Sequence, residues 1–447
     1  MHDASVIPAY LKQLVQDLRA HLSDAEFVAR HRKSAHHFTR ERLLPFAVVM
    51  IFILRKTVKS LQRHLHELLR CLGPEFKGVT AGAWSQARAK LRHTAFIELN
   101  QKCVLPAVYA SEREVRSWQG HRLVAIDGSV VRLPQSQEIS QEFGSLQSAN
   151  QGGDCAIRYS EGRMVVLYDV LNCIACSAVL GRYQQSETTL ALEQLEALQP
   201  GDVCVLDRGF VGYPFLARLQ ARGAHFVARC SRRSFAVAQE LFECNAAGQE
   251  RVVKLTALSA QRSDLQQAGV ALEMTVRFIS LRLATGELEV LVTSLLDCER
   301  YPATALSQVY AQRWGEETCF FLLKSRLDLE NFSGRTVEAV QQDFHSTVLL
   351  SNLERLLTEP AARRLEEQST ACKHPKKVNH AVSYHALKSH LWDLLHSDLI
   401  ADQLLSRLQG MFAASPVSAR PKRKIPRIKG TLNRAYHFQR RIRKYVF

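Results

Sequence analysis

Residues 310–324 read YAQRWGEETCFFLLK and place four groups suited to phosphate or metal chemistry in one short stretch: Tyr310, Arg313, Glu317 and Lys324. No proline occurs there and the one glycine is isolated, so the stretch reads as a helix. At ~100° per residue, Arg313, Glu317 and Lys324 fall at about 300°, 340° and 320° from Tyr310, while Glu316 projects near ~240° and lies outside the stripe. An aromatic, a carboxylate and two cations on one face describe either a salt-bridged solvent face or a site that holds a metal beside phosphate. In the first case an i,i+4 pair such as Arg313–Glu317 is worth only a few tenths of a kcal/mol. Phe320, Phe321, Leu322 and Leu323 surround the stripe with bulky apolar groups. They predict a largely buried helix, whose charges need partners or ligands.

Two carboxylates upstream favour the second reading. Asp127 ends the apolar run LVAI and precedes Gly-Ser; Asp207 ends VCVL and precedes Arg208-Gly-Phe. Each has a plain alternative, Asp127-Gly128 as an ordinary turn and Asp207 as a turn or cap residue before Gly209. If both sit on neighbouring core strands, they cannot both ionise cheaply in apolar surroundings. Divalent cations resolve that repulsion, and a few oxygen ligands shared with substrate phosphate are what Mg²⁺ prefers. A pair of such ions, about 3.5–4 Å apart, serves phosphodiester chemistry by activating one oxygen and stabilising the other. Glu317 would supply the third carboxylate.

The elements that must position these groups are an α/β scaffold. Residues 123–133, 163–171 and 176–183 read as successive strands, followed by a helix at 187–198 capped by Ser186 and ended by Pro200-Gly201-Asp202. A strand at 203–206 then delivers Asp207, with a helix near 214–222 and a strand at 225–229. That order matches a ribonuclease-H-like mixed sheet flanked by helices, expected over residues 116–230 and 303–360. Residues 231–302 carry few helix signals and read as a β-rich insertion, with a hairpin (272–283, 288–295) around a Gly-bearing turn. Residues 1–115 read as a helical N-terminal DNA-binding domain with helices at 40–54, 57–72 and 83–92. Gln86, Arg88, Lys90 and Arg92 would form the exposed face of the last, a DNA-groove face or simply a solvated one. Helices at 337–357 and 383–408 and a helical region over 361–412 lead to a basic tail, 413–447, containing PKRKIPRIKG and FQRRIRKY.

Composition narrows the partners. With 46% hydrophobic and 23% charged residues over 447 positions, the chain is that of a multidomain soluble protein. A net charge of +16 points to a polyanion, most simply nucleic acid. Eleven cysteines, an odd number without a disulfide pattern, suit a reducing cytosol. Residues 1–20 carry charges throughout and show no signal peptide. The longest N-terminal apolar run, 45–54, is about half of what a bilayer requires. Cys173 and Cys176 form a lone Cys-x-x-Cys and read as core cysteines rather than a zinc site. His36-His37 and His64/His66 show no ligand constellation.

Asp127-Gly-Ser, Asp207-Arg-Gly-Phe and the set Tyr310, Arg313, Glu317, Lys324 together resemble the DDE transposases of bacterial insertion sequences. The branch is the one marked by a Tyr-x2-Arg-x3-Glu-x6-Lys signature and a β-rich insertion before the Glu. The resemblance covers roughly residues 25–385. It implies a bacterial, cytoplasmic, metal-dependent enzyme that nicks transposon ends and joins them to target DNA, without a membrane partner, as a dimer on DNA. It assigns Asp127, Asp207 and Glu317 as ligands of Mg²⁺, with Mn²⁺ able to substitute. Tyr310, Arg313, Lys324 and Arg208 become DNA contacts. Members that release their element through a DNA hairpin stack a flipped base on a Trp of the insertion. Residues 231–302 contain none; Phe226, Phe235, Phe242 and Phe278 are the nearby aromatic substitutes, and Trp314 lies within the signature. A ribonuclease-H-like nuclease that cuts without joining, or an inactive DNA-binding derivative, are the competing readings.

Overall fold

The computed structural model describes residues 7–40, 43–56, 60–72, 78–148, 157–370, 373–396 and 399–419. The chain divides into two compact units, one of residues 1–114, 132–161 and 322–447, the other of residues 115–131 and 162–321. No helix among the described residues is long and apolar enough to cross a membrane.

The second unit is built on a mixed sheet. Its strands come from β1 (Leu123–Leu133), β3 (Ile157–Asp169), β4 (Ile174–Arg182), β5 (Val203–Leu206), β6 (His225–Arg229), β7 (Glu250–Thr256), β8 (Glu273–Arg282) and β9 (Leu288–Thr293). The start of β3 belongs to the first unit and pairs there with β2 (Leu146–Ser148). The order is β2-β3-β1-β5-β6-β9-β8-β7, with β4 on β3. β3 and β4 are antiparallel, whereas β1, β5 and β6 run parallel. This is the strand plan of a ribonuclease-H-like core. The central strands are short and wholly apolar, as burial on both faces requires: all four residues of β5 are buried. The expected strands at 123–133, 203–206 and 225–229 agree with β1, β5 and β6 residue for residue.

The segment 231–302 departs from its expected separateness. β9 pairs antiparallel with β6, so the hairpin β8–β9 extends the core sheet. Its turn closes with the Leu283 N–H donating to the Glu287 carbonyl at 2.9 Å, and Gly286 takes φ +87°. Two helices, Ala236–Cys244 and Ser259–Gln267, lie in the same segment. Sequence periodicity missed both: each buries only one or two side chains, too few to mark a stripe. Phe226 and Phe278 are fully buried within the sheet and are not available to stack on a base. Cys176 is buried as expected, but Cys173 is exposed, because the turn between β3 and β4 holds it at φ +61°.

The first unit joins helices from both ends of the sequence, so the N-terminal helices do not close on themselves. Helix Phe46–Leu54 is buried at every position and packs on the 32-residue helix Val337–Gln368. Helices His380–His396 and Ala401–Ala414 pack on each other, and helix Ala9–Ser23 meets both. The helix expected at 83–92 runs Ala81–Arg88, capped by Thr80, whose hydroxyl accepts from the Ala83 N–H at 3.1 Å. Arg88 corrects the reading of that helix as a basic DNA-facing surface. It is buried and donates to Gln342 (2.7 Å), Ser333 (2.7 Å), the Ala339 carbonyl (2.8 Å) and Asp343 (2.8 Å). Three acceptors from the distant helix Val337–Gln368 and one, Ser333, from the segment before it hold the guanidinium inside; of the four polar residues, Gln86, Lys90 and Arg92 keep solvent-facing parts. The basic tail lies outside the described residues apart from 413–419, where a helix ends and Val417–Ser418 pairs with Lys376–Lys377.

Breaking a buried pair by removing one partner costs about 3–5 kcal/mol. Arg88→Ala is therefore expected to lower stability by that order in a urea melt, while leaving the salt dependence of DNA binding unchanged. A lost phosphate contact would do the reverse.

Candidate active site

Parallel pairing sets the position of the two aspartates. β1 and β5 are in register from Leu123↔Val203 to Ile126↔Leu206. Asp127, within β1, and Asp207, the residue after β5, follow the last registered pair, so they stand side by side where the parallel pairing ends; the carboxyl end of β5 is the kind of position at which open α/β sheets bind ligands. The turn alternative fails for Asp127, because β1 continues straight through Asp127-Gly128 to Leu133. Asp207 does stand at the cap position of a short 3₁₀ turn, Arg208–Phe210, whose Phe210 N–H donates to the Asp207 carbonyl at 3.0 Å, but its carboxylate takes no part in the capping.

Asp127 is half-buried. Its Oδ1 accepts from the Gly128 N–H at 2.8 Å and its Oδ2 from the Arg313 guanidinium at 3.2 Å. Burial raises its pKa above the ordinary aspartate range; Gly128 and Arg313 pull it down, and Glu187 and Asp207 add to the rise. The Tyr310 hydroxyl donates to Asp207 Oδ1 at 3.3 Å. Burial, reinforced by Asp207, pushes the phenol up to about 12, so it remains a donor. Burial works against the charge of Arg313, but Tyr310, Asp207 and Asp127 outweigh it and keep the guanidinium protonated.

The single helical wheel drawn from 310 to 324 fails at two places. Helix Ala303–Ala311 ends, and the chain turns with the Arg313 N–H donating to the Tyr310 carbonyl at 3.1 Å and the Gly315 N–H to Gln312 at 2.9 Å. A second helix, Trp314–Phe321, then passes into a π-helical turn, Leu322–Arg326. Each departure from 3.6 residues per turn rotates the later side chains relative to Tyr310. The expected helix is thus part buried and part open: Trp314 and Phe321 are 61% and 57% exposed, whereas Tyr310, Cys319 and Phe320 are buried. Of the two glutamates, Glu316 is fully buried and neither carboxylate oxygen has a hydrogen-bond partner. Burial, with Asp127 next in effect, raises it well above the ordinary glutamate range; the Asp127 N–H is near enough to oppose this without reaching hydrogen-bonding geometry. Glu317 is exposed.

The structure therefore brings together Asp127, Asp207, Tyr310 and Arg313, and sets Glu316 rather than Glu317 against Asp127. Arg208 is exposed on the turn after Asp207. Lys324 is half-buried in the π turn, which belongs to the first unit. Sequence reasoning missed Glu187, whose only visible signal was its place after the Ser186 cap; it shapes the field at both Asp127 and Glu316. Among the described residues, no three His, Cys, Asp or Glu side chains converge on one point as a metal cage. The donors suit a hard divalent cation in kind, being carboxylate oxygens rather than thiolates or imidazoles.

Paired aspartates where the parallel β1–β5 pairing of a ribonuclease-H-like sheet ends, with a glutamate pair on a late helix, are groups of the kind that phosphodiester chemistry on divalent cations uses. The chain matches the family described as Transposase DDE domain over residues 118–353, more than half its length, and it belongs to that family. It is an enzyme of DNA transposition, of a family that works with divalent metal ions. The transposase InsG for insertion sequence element IS4 of Escherichia coli K12 is 24% identical over 339 residues, 74% of either chain. InsZ of the same strain is 27% identical over 195 residues, 43% of this chain and 63% of InsZ. Among solved structures, the piggyBac transposase synaptic complex with hairpin DNA aligns with a TM-score of 0.41 and 10% identity, over 98% of this chain and 84% of that one.

Tyr310→Phe keeps the buried ring and deletes one hydroxyl. Stability is expected to change by no more than about 1 kcal/mol, the net worth of a neutral hydrogen bond. Strand cleavage should fall about tenfold, as measured by product formation under single-turnover conditions.

Proposed function

We propose that the chain cleaves DNA strands at the ends of an insertion sequence and joins them to target DNA, with Asp127, Asp207 and Glu317 as the carboxylates that hold Mg²⁺, Mn²⁺ being able to replace it. The observation that carries the reading is the β1–β5 register, which sets Asp127 and Asp207 side by side, both half-buried. InsG serves an insertion sequence element, and the shared length supports the same role here. When bound, the cations would activate the attacking oxygen and stabilise the leaving one.

Glu317 is preferred over Glu316 as the third ligand because a cation in this reaction must be shared with a DNA phosphate. Asp127 and Asp207 are half-buried and Glu317 is exposed, whereas Glu316 is sealed inside at 0% exposure. Glu316 then serves as a buried neutral acid behind the site. Arg313 holds the Asp127 carboxylate, and Tyr310 holds that of Asp207, so that both meet the phosphate in fixed orientation. Arg208 and Lys324, with Tyr310 and Arg313, contact phosphates of the strand, a positioning role rather than one of base recognition. The N-terminal helices and the basic tail supply further DNA affinity, and two copies act together because two transposon ends must be held at once. The site of action is the bacterial cytoplasm.

The test is strand cleavage on DNA carrying the sequences that flank the coding region, with Mg²⁺, Mn²⁺ or EDTA. Wild type is expected to nick at a repeat boundary with either metal and not in EDTA. Glu317→Gln should abolish nicking with DNA binding retained, and Glu316→Gln should be mild. Inversion of those two results would move the third ligand to Glu316.

A further inference from the structure

Gly128 lies directly under the side chain of Glu187. A Cβ placed on Gly128 would come within 2.4 Å of Glu187 Cγ, 2.5 Å of Cδ and 2.6 Å of Oε1. Those distances leave room for a hydrogen and nothing larger. The conformation at Gly128 is not left-handed, so the glycine is required there by this close approach rather than by its backbone. One ion pair holds Glu187 in this position: its Oε1 accepts from the Arg163 guanidinium at 3.2 Å, and that guanidinium lies over the Tyr183 ring at 5.6 Å. Glu187 also opens the helix Glu187–Leu192, fixed by the Ser186 cap accepting from the Thr189 N–H at 3.0 Å. On the other side, the Gly128 N–H is the donor that orients Asp127 Oδ1. An unbroken series of contacts thus runs from Arg163 through Glu187 and Gly128 to the Asp127 carboxylate.

We infer that Glu187, clamped by Arg163, is a positioning residue for Asp127: it closes over Gly128 and fixes the amide that orients the carboxylate. Bringing an acid against an aspartate of a DNA-cleaving site is costly unless it has a task, and fixing a ligand to within a fraction of an ångström is such a task. The inference rests on the proposed role of Asp127 in holding a divalent cation.

The experiment is a double-mutant cycle in the full-length chain: wild type, Gly128→Ala, Glu187→Ala and Gly128→Ala/Glu187→Ala, with Glu187→Gln as the conservative variant. Each is read by Mg²⁺-dependent strand cleavage, by DNA binding in EDTA, and by the shift in Tm on adding Mg²⁺. A ligand displaced by about 1 Å can cost on the order of 100-fold in rate, so Gly128→Ala is expected to lose about that much cleavage and its Mg²⁺-induced Tm shift, with DNA binding unchanged. Glu187→Ala should lose about tenfold, and Glu187→Gln, which still accepts from Arg163, should stay within about threefold of wild type. The double variant should recover to the level of Glu187→Ala, because the clash is gone; contacting residues are non-additive in this way. Additive losses in the double variant, or Tm values lowered in EDTA with the Mg²⁺ shift intact, would overturn the inference. Absence of cleavage and of any Mg²⁺ shift in the wild type would instead overturn the reading on which it rests.

Discussion

Everything at this site depends on two carboxylates that the fold forces together. β1 and β5 pair in parallel, and the register carries Asp127 and Asp207 to adjacent positions where that pairing ends. Half-buried like charges at such a spacing oppose one another and oppose folding. The chain answers with one guanidinium on Asp127, from Arg313 in the turn at 312–313, and one phenol on Asp207, from Tyr310 in the last turn of the helix before it. A single cation shared among several acids leaves the site short of positive charge. That shortfall is what a divalent ion would supply, and it gives the site its sense.

The scaffold keeps these groups in place by burying what surrounds them. Val124, Ile126, Cys204 and Leu206 lie in one continuous core with Leu190, Phe210, Leu216 and the apolar residues of β6, β8 and β9. The segment 231–302 adds its hairpin to β6 and so widens the same sheet, stiffening the strand next to β5. In the first unit, buried polar groups do comparable work: Arg88 and Asp343 are tied across from a short N-terminal helix to the long helix Val337–Gln368. A buried pair of this kind contributes more to the uniqueness of the arrangement than to its net stability.

Much of the fold could be read in the sequence, for a physical reason. Buried parallel strands are short apolar runs ended by glycine or by a polar residue, and 123–126, 203–206 and the centre of 225–229 have that form. Asp127, Asp207, Tyr310 and Arg313 were legible as types, since apolar runs that deliver lone acids have few other uses. The choice between Glu316 and Glu317 was not legible, because it depended on unbroken helical geometry from 310 to 324. A turn at 312–313 and a π-helical turn at 322–326 break that geometry, and neither leaves a proline or glycine signature at the break. Arg88 misled for a different reason: its partners Ser333, Ala339, Gln342 and Asp343 lie about 250 residues away in sequence (|i−j| from 245 to 255), where no local pattern can announce them. Glu187 escaped because the contact that matters, with Gly128, runs between a helix start and a strand interior.

Asp127 and Asp207 are proposed to hold one and the same metal centre, and electron paramagnetic resonance of Mn²⁺ titrated into the full-length chain, wild type against Asp127→Asn and Asp207→Asn, reads it out. Bound Mn²⁺ is expected in the wild type and is expected to be lost in both single variants, each of which removes a ligand of the same ion. Undiminished Mn²⁺ binding in either variant would overturn the shared centre.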